Sequence, residues 1–287
     1  MHTGQKQKLE CALYVVATPI GNLRDISLRA LDILTSVEVI AAEDTRNTLH
    51  LLTHYGISAN RLLALHQHNE RNAAGKIIAL LAQEKPVALV SDAGTPAVSD
   101  PGALLVEAVR AAGYRVIPVP GANAALAALS ASGLHAPHFL FYGFLPFKSG
   151  ARRRELQALA TLPYTLVFYE APHRILECVA DLQATLGGER QLVLARELTK
   201  LFENIHRCTV AEAMEWLNSD PNNQRGEFVL LVSGAEKKEG LEEDAERILA
   251  ILLQDLPLKQ AAQLAAKITG AGKNELYQRA LQLKEQE

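Results

Sequence analysis

Short apolar runs alternate with segments of helical periodicity along the first 120 residues of the sequence. Between the runs, leucines recur at the spacing of an amphipathic helix, as at Leu28, Leu31 and Leu34. This alternation predicts βαβ units, which build a parallel sheet. The strand candidates of this region are residues 13–17, 37–42, 62–65, 87–91 and 116–119.

The strand candidates change character after residue 120, where they become richer in aromatic residues and more widely spaced. They are residues 139–143, 166–169, 192–195 and 228–232, and they predict a second α/β domain with a mixed sheet. A charged linker then leads into a helical tail with a turn at Gly270. The predicted fold class is therefore α/β, with two α/β domains (1–120 and 121–234) and a small C-terminal helical extension (241–287). The tail fits helix-turn-helix geometry, and a packing or dimerisation appendage is the alternative.

Charge and composition limit the classes of function. A net charge of −3 argues against a surface built throughout for nucleic acid, so any RNA contact must be local. The densest basic cluster is Lys148, Arg152, Arg153 and Arg154, for which the alternative is a solvated helix start. Three widely spaced cysteines predict reduced thiols, and no apolar run is long enough for a membrane span. We therefore expect a cytoplasmic protein without a membrane contact.

The most informative loop is VALVSDAGTPAVSDPG, residues 87–102, in which a buried strand ends at a carboxylate and is followed by prolines and small residues. Similar loops follow other predicted strands, at 18–22, 43–46, 118–124 and 169–174. Small residues let the backbone approach a ligand, and ligands of α/β sheets bind at the carboxyl ends of strands. No GxGxxG, HExxH or GxSxG motif is present, so neither a dinucleotide loop nor a metal site is expected.

The order of these loops resembles the tetrapyrrole methylase superfamily. TPIGNLRDI, AEDTR, SDAGTPAVSDPG, PGANA, FYEAPHR and ARELTKLFE are similar to the motifs of its ribosomal RNA branch. The resemblance implies two α/β domains that enclose S-adenosylmethionine, and a homodimer. It also implies 2′-O-methylation of a cytidine in the decoding region of small-subunit (16S) ribosomal RNA, within the assembled 30S subunit.

The resemblance also assigns residues to the cofactor. These are Pro19, Asp92, Ala93, Gly94, Val98, Ser99, Ala122, Ala124, Tyr169 and Glu170. Small-molecule members of the superfamily carry a GDP sequence followed by an aromatic residue where this chain reads Ser91, Asp92 and Ala93. That difference favours the RNA branch over tetrapyrrole substrates.

Methyl transfer from a sulfonium needs alignment of the acceptor oxygen and removal of its proton. The candidate bases are Glu43, Asp44 and Glu170, which follow predicted strands. As alternatives, these carboxylates cap helices or pair with arginines, or water takes the proton. RNA phosphate contacts are expected from Arg24, Arg46 and Lys200, and from the basic cluster at Lys148, Arg152, Arg153 and Arg154.

Two other functions remain open from the sequence. One is a methyltransferase for a tetrapyrrole-like small molecule. The other is a non-catalytic RNA-binding or ribosome-assembly protein in which the helical tail makes the contacts.

Overall fold

The computed structural model describes residues 8–58, 61–67, 69–235 and 243–285. The chain forms two compact units, Met1–Ala235 and Glu236–Glu287. The first unit contains two five-stranded sheets with helices packed on them, and the described part of the second is helical. The predicted fold class is confirmed. The boundary predicted at residue 120 lies inside the first unit, and the division into the domains 1–120, 121–234 and 241–287 stays a prediction.

The first sheet is entirely parallel and has the strand order β3-β2-β4-β1-β5. Its strands are β1 (Ala12–Val16), β2 (Val39–Ala42), β3 (Leu62–Ala64), β4 (Val87–Val90) and β5 (Arg115–Val119). The connecting helices are α1 (Leu28–Ser36), α2 (Thr45–His54), α3 (Glu70–Leu81) and α4 (Ala103–Ala111). β2 and β4 are apolar throughout because helices cover both faces of the sheet.

The neighbouring strands β1 and β4 form the topological switch point of this sheet. From β1 the chain passes through α1 to β2 on one side, and from β4 it passes through α4 to β5 on the other. α1 packs on the face that carries Tyr14 and Val16, whereas α4 packs on the face that carries Leu13 and Leu89. A crevice therefore opens beyond the carboxyl ends of β1 and β4, the usual ligand position in such sheets.

The second sheet is mixed, as the sequence predicts, with the order β6-β7-β10-β8-β9 and one parallel pair, β6 with β7. Its strands are β6 (Phe139–Phe144), β7 (Thr165–Glu170), β8 (Gln191–Arg196), β9 (Asn204–Thr209) and β10 (Phe228–Val232). The helices α5 (Ala124–Ala131), α6 (Ser149–Leu159), α7 (Ile175–Leu186) and α8 (Val210–Ser219) belong to this half. α5 packs on one face of the sheet, and α6, α7 and α8 pack on the other.

The second unit contains three helices in its described part: α9 (Glu243–Asp255), α10 (Leu258–Thr269) and α11 (Lys273–Glu285). Gly270 ends α10 in a left-handed conformation (φ 76°), so the turn lies where the sequence predicts it. α9 precedes the two expected helices and packs through Ala245 and Leu249 against alanines of α10. Across the described ranges, no helix has the length and apolar character needed to cross a membrane.

Candidate active site

Three loops of the first sheet meet beyond its carboxyl edge. Thr18 and Gly94 pair through their backbones, with N···O distances of 2.8 and 3.0 Å, which joins the loops after β1 and β4. The Thr95 hydroxyl donates to the Ala122 carbonyl at 3.2 Å, which adds the loop after β5. Gly121 lets the loop after β5 pass close to the residue that follows β1, because a Cβ on Gly121 would lie 2.9 Å from the Cβ of Ala17. The convergence expected of these loops is thus present.

A first cavity of about 400 Å³ lies between these loops and the second sheet. The loops of the first sheet contribute Ile20 and Thr95 to its wall, and the second sheet contributes Ala195 and Phe228. The volume falls within the ~300–1,000 Å³ typical of small-molecule sites. Since the walls come from both sheets, the cavity exists only when both have formed.

Seven of the ten residues expected at the cofactor line this first cavity: Ala93, Gly94, Val98, Ser99, Ala124, Tyr169 and Glu170. Tyr169 is fixed there, because its hydroxyl accepts a hydrogen bond from the backbone N–H of Ala125 at 3.3 Å. Pro19 and Asp92 instead line a second cavity of about 380 Å³. Ala122 lines neither of these two cavities.

The second cavity adjoins the first, because Ile20 and Ala93 line both. It lies between the loop after β1, the loop after β4 and the amino-terminal half of α2. The sequence motifs did not separate the two cavities, since both are bordered by the same loops.

Carboxylates cluster beside the two cavities: Asp100 lines the first and Asp92 the second, and Glu43 interacts with both. Glu43 follows β2, and its Oε2 accepts a hydrogen bond from the backbone N–H of Asp92 at 3.3 Å. Burial, with the charges of Asp92 and Asp44, raises the pKa of Glu43. Asp100 lines the first cavity, and burial together with the charge of Glu43 raises its pKa to about 6. The sequence gives no signal for Asp100 as a proton acceptor, because its proximity to Glu43 arises only in the tertiary structure.

Asp44 has the helix-capping role that was its alternative. One of its oxygens accepts the backbone N–H of Arg46 at 2.8 Å, which caps α2. The Arg46 guanidinium also pairs with both carboxylate oxygens, and these hydrogen bonds lower the pKa of Asp44 to about 2. Asp44 is therefore a poor proton acceptor.

Glu170 is buried at the end of β7 and lines the first cavity. Its Oε1 accepts the backbone N–H of Ala171 at 2.8 Å and lies 3.1 Å from Nε of Arg174, so it has the arginine partner considered as the alternative. Its Oε2 is also buried but has no hydrogen-bond partner within the described residues. The buried Cys178 thiol lies beside this carboxylate, and Glu170 adds to the effect of burial in raising the pKa of the thiol.

The basic cluster divides into buried and exposed members. The side chain of Arg152 is fully buried and pairs with Asp181 at 2.7 Å, so its assignment to an RNA contact is wrong. Arg153 pairs with the same carboxylate but keeps 54% of its side chain exposed. Lys148, which precedes α6, and Arg154, in the middle of this helix, are exposed. Only these three can reach a phosphate.

The other basic residues lie nearer the cavities. Arg24 is exposed in the loop after β1, and the Arg46 side chain is 85% exposed despite its pairing with Asp44. Lys200 lines the first cavity and pairs with Glu197 at 2.8 Å and Glu227 at 2.7 Å. Burial opposes the charge of Lys200, but these two carboxylates outweigh it and raise its pKa. The described residues contain no group of three or more His, Cys, Asp or Glu placed to hold a metal ion.

The fold and the loops define a class of protein. The family model Tetrapyrrole (Corrin/Porphyrin) Methylases matches residues 12–214, and the chain belongs to this family. A second model, RsmI C-terminal HTH domain, matches residues 239–284.

Individual relatives with curated names indicate where in this family the chain belongs. The chain is 55% identical over 273 residues to ribosomal RNA small subunit methyltransferase I of Pseudomonas aeruginosa, covering 94% of this chain and 96% of the relative. It is 53% identical over 271 residues to the protein of the same name from Escherichia coli O157:H7, covering 94% of each. The resemblance inferred from the motifs is confirmed.

Solved structures support the fold. The methyltransferase CobJ superposes with a TM-score of 0.59 at 20% identity, over 78% of this chain and 94% of that one. Uroporphyrin-III C-methyl transferase from Thermus thermophilus, complexed with S-adenyl homocysteine, gives a TM-score of 0.52 at 20% identity, over 77% and 97%.

Proposed function

We propose that this protein is an S-adenosylmethionine-dependent methyltransferase of small-subunit (16S) ribosomal RNA that methylates the ribose 2′-hydroxyl of a cytidine in the decoding region. The observation that carries the proposal is the identity above 50%, along 94% of both chains, to a relative named ribosomal RNA small subunit methyltransferase I. Membership of the methylase family and the first cavity between the two sheets agree with it.

The first cavity suits this cofactor, the methyl donor of the family. Its apolar wall, which includes Val98 and Phe228, would contact the flat and aliphatic parts of the ligand. Asp100 and Glu170 add carboxylates that complement a positive charge and an amino group. When bound, S-adenosylmethionine supplies an electrophilic methyl group on a positively charged sulfur. The walls of the cavity exclude water and fix the direction of approach.

We assign removal of the 2′-hydroxyl proton to the carboxyl pair Glu43 and Asp100. Both have raised pKa values, so they are stronger proton acceptors than an ordinary carboxylate. Because the pKa of Asp44 is low, we assign this residue to the capping of α2 and not to proton removal. Glu170, already paired with Arg174, is assigned to cofactor binding.

RNA binding is assigned to the exposed basic residues. Arg24 and Arg46 are the chain neighbours of Leu23 and Asn47, which line the second cavity, and Lys200 lines the first. Lys148, Arg153 and Arg154 would hold phosphates farther along the RNA strand. Such contacts position RNA without reading its sequence.

The proposal includes a cytoplasmic homodimer that acts on the assembled 30S subunit, as the family resemblance implies. Light scattering of the purified protein tests the dimer. Comparison of methyl transfer to naked RNA and to subunits tests the substrate.

The main experiment incubates the full chain with labelled S-adenosylmethionine and small subunits from cells that lack this methyltransferase. Mapping the label to one nucleotide, and to ribose or base, gives the result. Label on the ribose of one cytidine is expected, and label on a base or on a tetrapyrrole would contradict the proposal. If calorimetry detects no binding of S-adenosylmethionine to the full chain, a non-catalytic RNA-binding protein is favoured.

A further inference from the structure

The second cavity has no role in cofactor binding as proposed above, yet it directly adjoins the cofactor cavity. The shared residues Ile20 and Ala93 place the two cavities side by side. Its volume of about 380 Å³ is sufficient for one nucleobase. Apolar side chains, including Pro19, Leu23 and Leu51, form part of its wall. These aliphatic side chains can contact the faces of an unstacked base, and His50, which also lines the cavity, is a ring of the kind on which bases stack.

Asp92 supplies a fixed hydrogen-bond acceptor to this cavity. Its Oδ1 accepts the backbone N–H of Asp44 at 3.0 Å, and its Oδ2 accepts the side-chain amide of Asn47 at 2.9 Å. Each carboxylate oxygen can accept a further hydrogen bond, and the Asp92 side chain is exposed toward the cavity it lines. The amide nitrogen of Asn47 retains a second N–H, so a donor stands beside the acceptor.

Thr48 adds a polar group without a partner. This residue lines the second cavity and is only 3% exposed. Its hydroxyl makes no hydrogen bond within the described residues. Because buried hydroxyls normally have a partner, this one is a candidate contact for a ligand acceptor.

We propose that the second cavity binds the base of the nucleotide to be methylated, extruded from the RNA, and that Asp92, Asn47 and Thr48 select cytosine over uracil. This inference rests on the proposed function. Cytosine presents an exocyclic amino group as donor, for which a carboxylate is the matching acceptor. Its ring nitrogen and carbonyl oxygen are acceptors that match the Asn47 amide and the Thr48 hydroxyl. Uracil would place a carbonyl oxygen against the Asp92 carboxylate, which repels it.

The position of Asp100 agrees with this assignment. Asp100 lines the cofactor cavity, and its carboxyl group is close enough to Glu43 and Asp92 for their charges to act on it. A base held beside Asp92 would keep its ribose near the boundary between the cavities. The 2′-hydroxyl, the proton acceptor and the methyl donor would then meet there.

The test uses the full chain and small subunits that carry either cytidine or uridine at the position mapped by labelling. Asp92→Asn keeps the size of the side chain but removes a purely accepting group. It should lower kcat/KM on cytidine subunits by about tenfold and reduce the preference for cytidine over uridine by a similar factor. The affinity for S-adenosylmethionine, measured by calorimetry, should change less than about twofold, because Asp92 does not line the first cavity.

A second variant avoids any change of charge. Thr48→Val removes the hydroxyl and should raise KM for cytidine subunits by about three- to tenfold. Thr53→Val is the matched control, because Thr53 lies on the same helix, is exposed and donates to Leu49. The control should leave KM and the cytidine preference unchanged.

Three results would overturn the inference, and they are distinguishable. If the wild-type protein methylates a cytidine ribose but Asp92→Asn and Thr48→Val alter neither KM nor base preference, the cavity is not the base site. If Asp92→Asn weakens cofactor binding as much as RNA methylation, Asp92 belongs to the cofactor site. If the wild-type protein labels no ribose of the subunit, the proposed function and this inference are both wrong.

Discussion

Lys200 packs against Gly21 so closely that a Cβ on the glycine would lie 2.5 Å from Cγ of the lysine. Gly21 follows β1 of the first sheet, and Lys200 follows β8 of the second. Contact between the two halves of the first unit at this point depends on the absence of a side chain. The contact borders the first cavity, which Ile20 and Lys200 both line.

Gly21→Ala should therefore destabilise the protein by about 1–3 kcal/mol, the usual cost of overpacking. Urea unfolding measures the change. Gly75→Ala is the control, because a Cβ at this position of α3 meets nothing within 4 Å. It should stabilise by about 0.5–1 kcal/mol through helix propensity. Equal stability of the two variants would show that Lys200 does not constrain Gly21.

Asp100→Asn should raise stability and lower activity. Because the pKa of Asp100 is raised to about 6, the folded state binds its proton more tightly than the unfolded state does. Stability therefore falls as pH rises from about 4 to about 6 and is level above that range. At neutral pH the amide removes this cost. The expected gain in stability of Asp100→Asn is roughly 1 kcal/mol after allowance for solvent screening. This gain would raise the midpoint of thermal unfolding by ~2–4 °C.

The pH profile of kcat/KM provides the second measurement for Asp100. The wild-type rate should rise through about pH 6, and this limb should be lost in Asp100→Asn. Glu107→Gln, an exposed change on α4, should alter neither quantity. An unchanged profile in Asp100→Asn would remove Asp100 from the proton transfer.

Arg152→Ala should mainly lower stability, whereas Arg154→Ala should mainly weaken RNA binding. Removing Arg152 takes one of three hydrogen-bond partners from the buried carboxylate of Asp181, which keeps Arg153 and Ser149, so the expected cost in urea unfolding is about 1.5–3 kcal/mol. Arg154→Ala should change stability by less than about 0.5 kcal/mol. It should weaken RNA binding and lower the salt dependence of that binding by about one phosphate contact. A stable Arg152→Ala variant with weak RNA binding would reverse the assignment of Arg152.

Arg46→Ala should weaken RNA binding while S-adenosylmethionine affinity stays nearly unchanged. The side chain is exposed, so loss of its pair with Asp44 should have little effect on stability. Filter binding and calorimetry measure the two affinities. A parallel loss of both would move Arg46 to a structural role.

The sequence predicts most strands because their apolar runs are buried on one or both faces. It misses β9, whose residues Asn204, His206 and Thr209 are polar because the strand lies at the edge of its sheet. The burial of Arg152 could have been predicted from helical spacing. This residue lies four positions before the buried Leu156, so both are on the same face of α6.

The site is predictable as a set of loops but not as two cavities. Asp92 and Val98 belong to the same loop, but Asp92 lines the second cavity and Val98 lines the first. Which cavity each residue lines depends on the order of the strands in the sheet. The proximity of Asp100 to Glu43 likewise depends on the pairing of β2 with β4. Local sequence does not specify these long-range relationships.

The central strand of the second sheet, β10, is the last strand of that sheet to be synthesised. Until Phe228 and Val229 enter between β7 and β8, a wall of the first cavity is missing. The nascent protein must therefore fold without stabilisation by its small-molecule ligand. Chains truncated before β10 should gain no stability from added ligand, because their first cavity is incomplete.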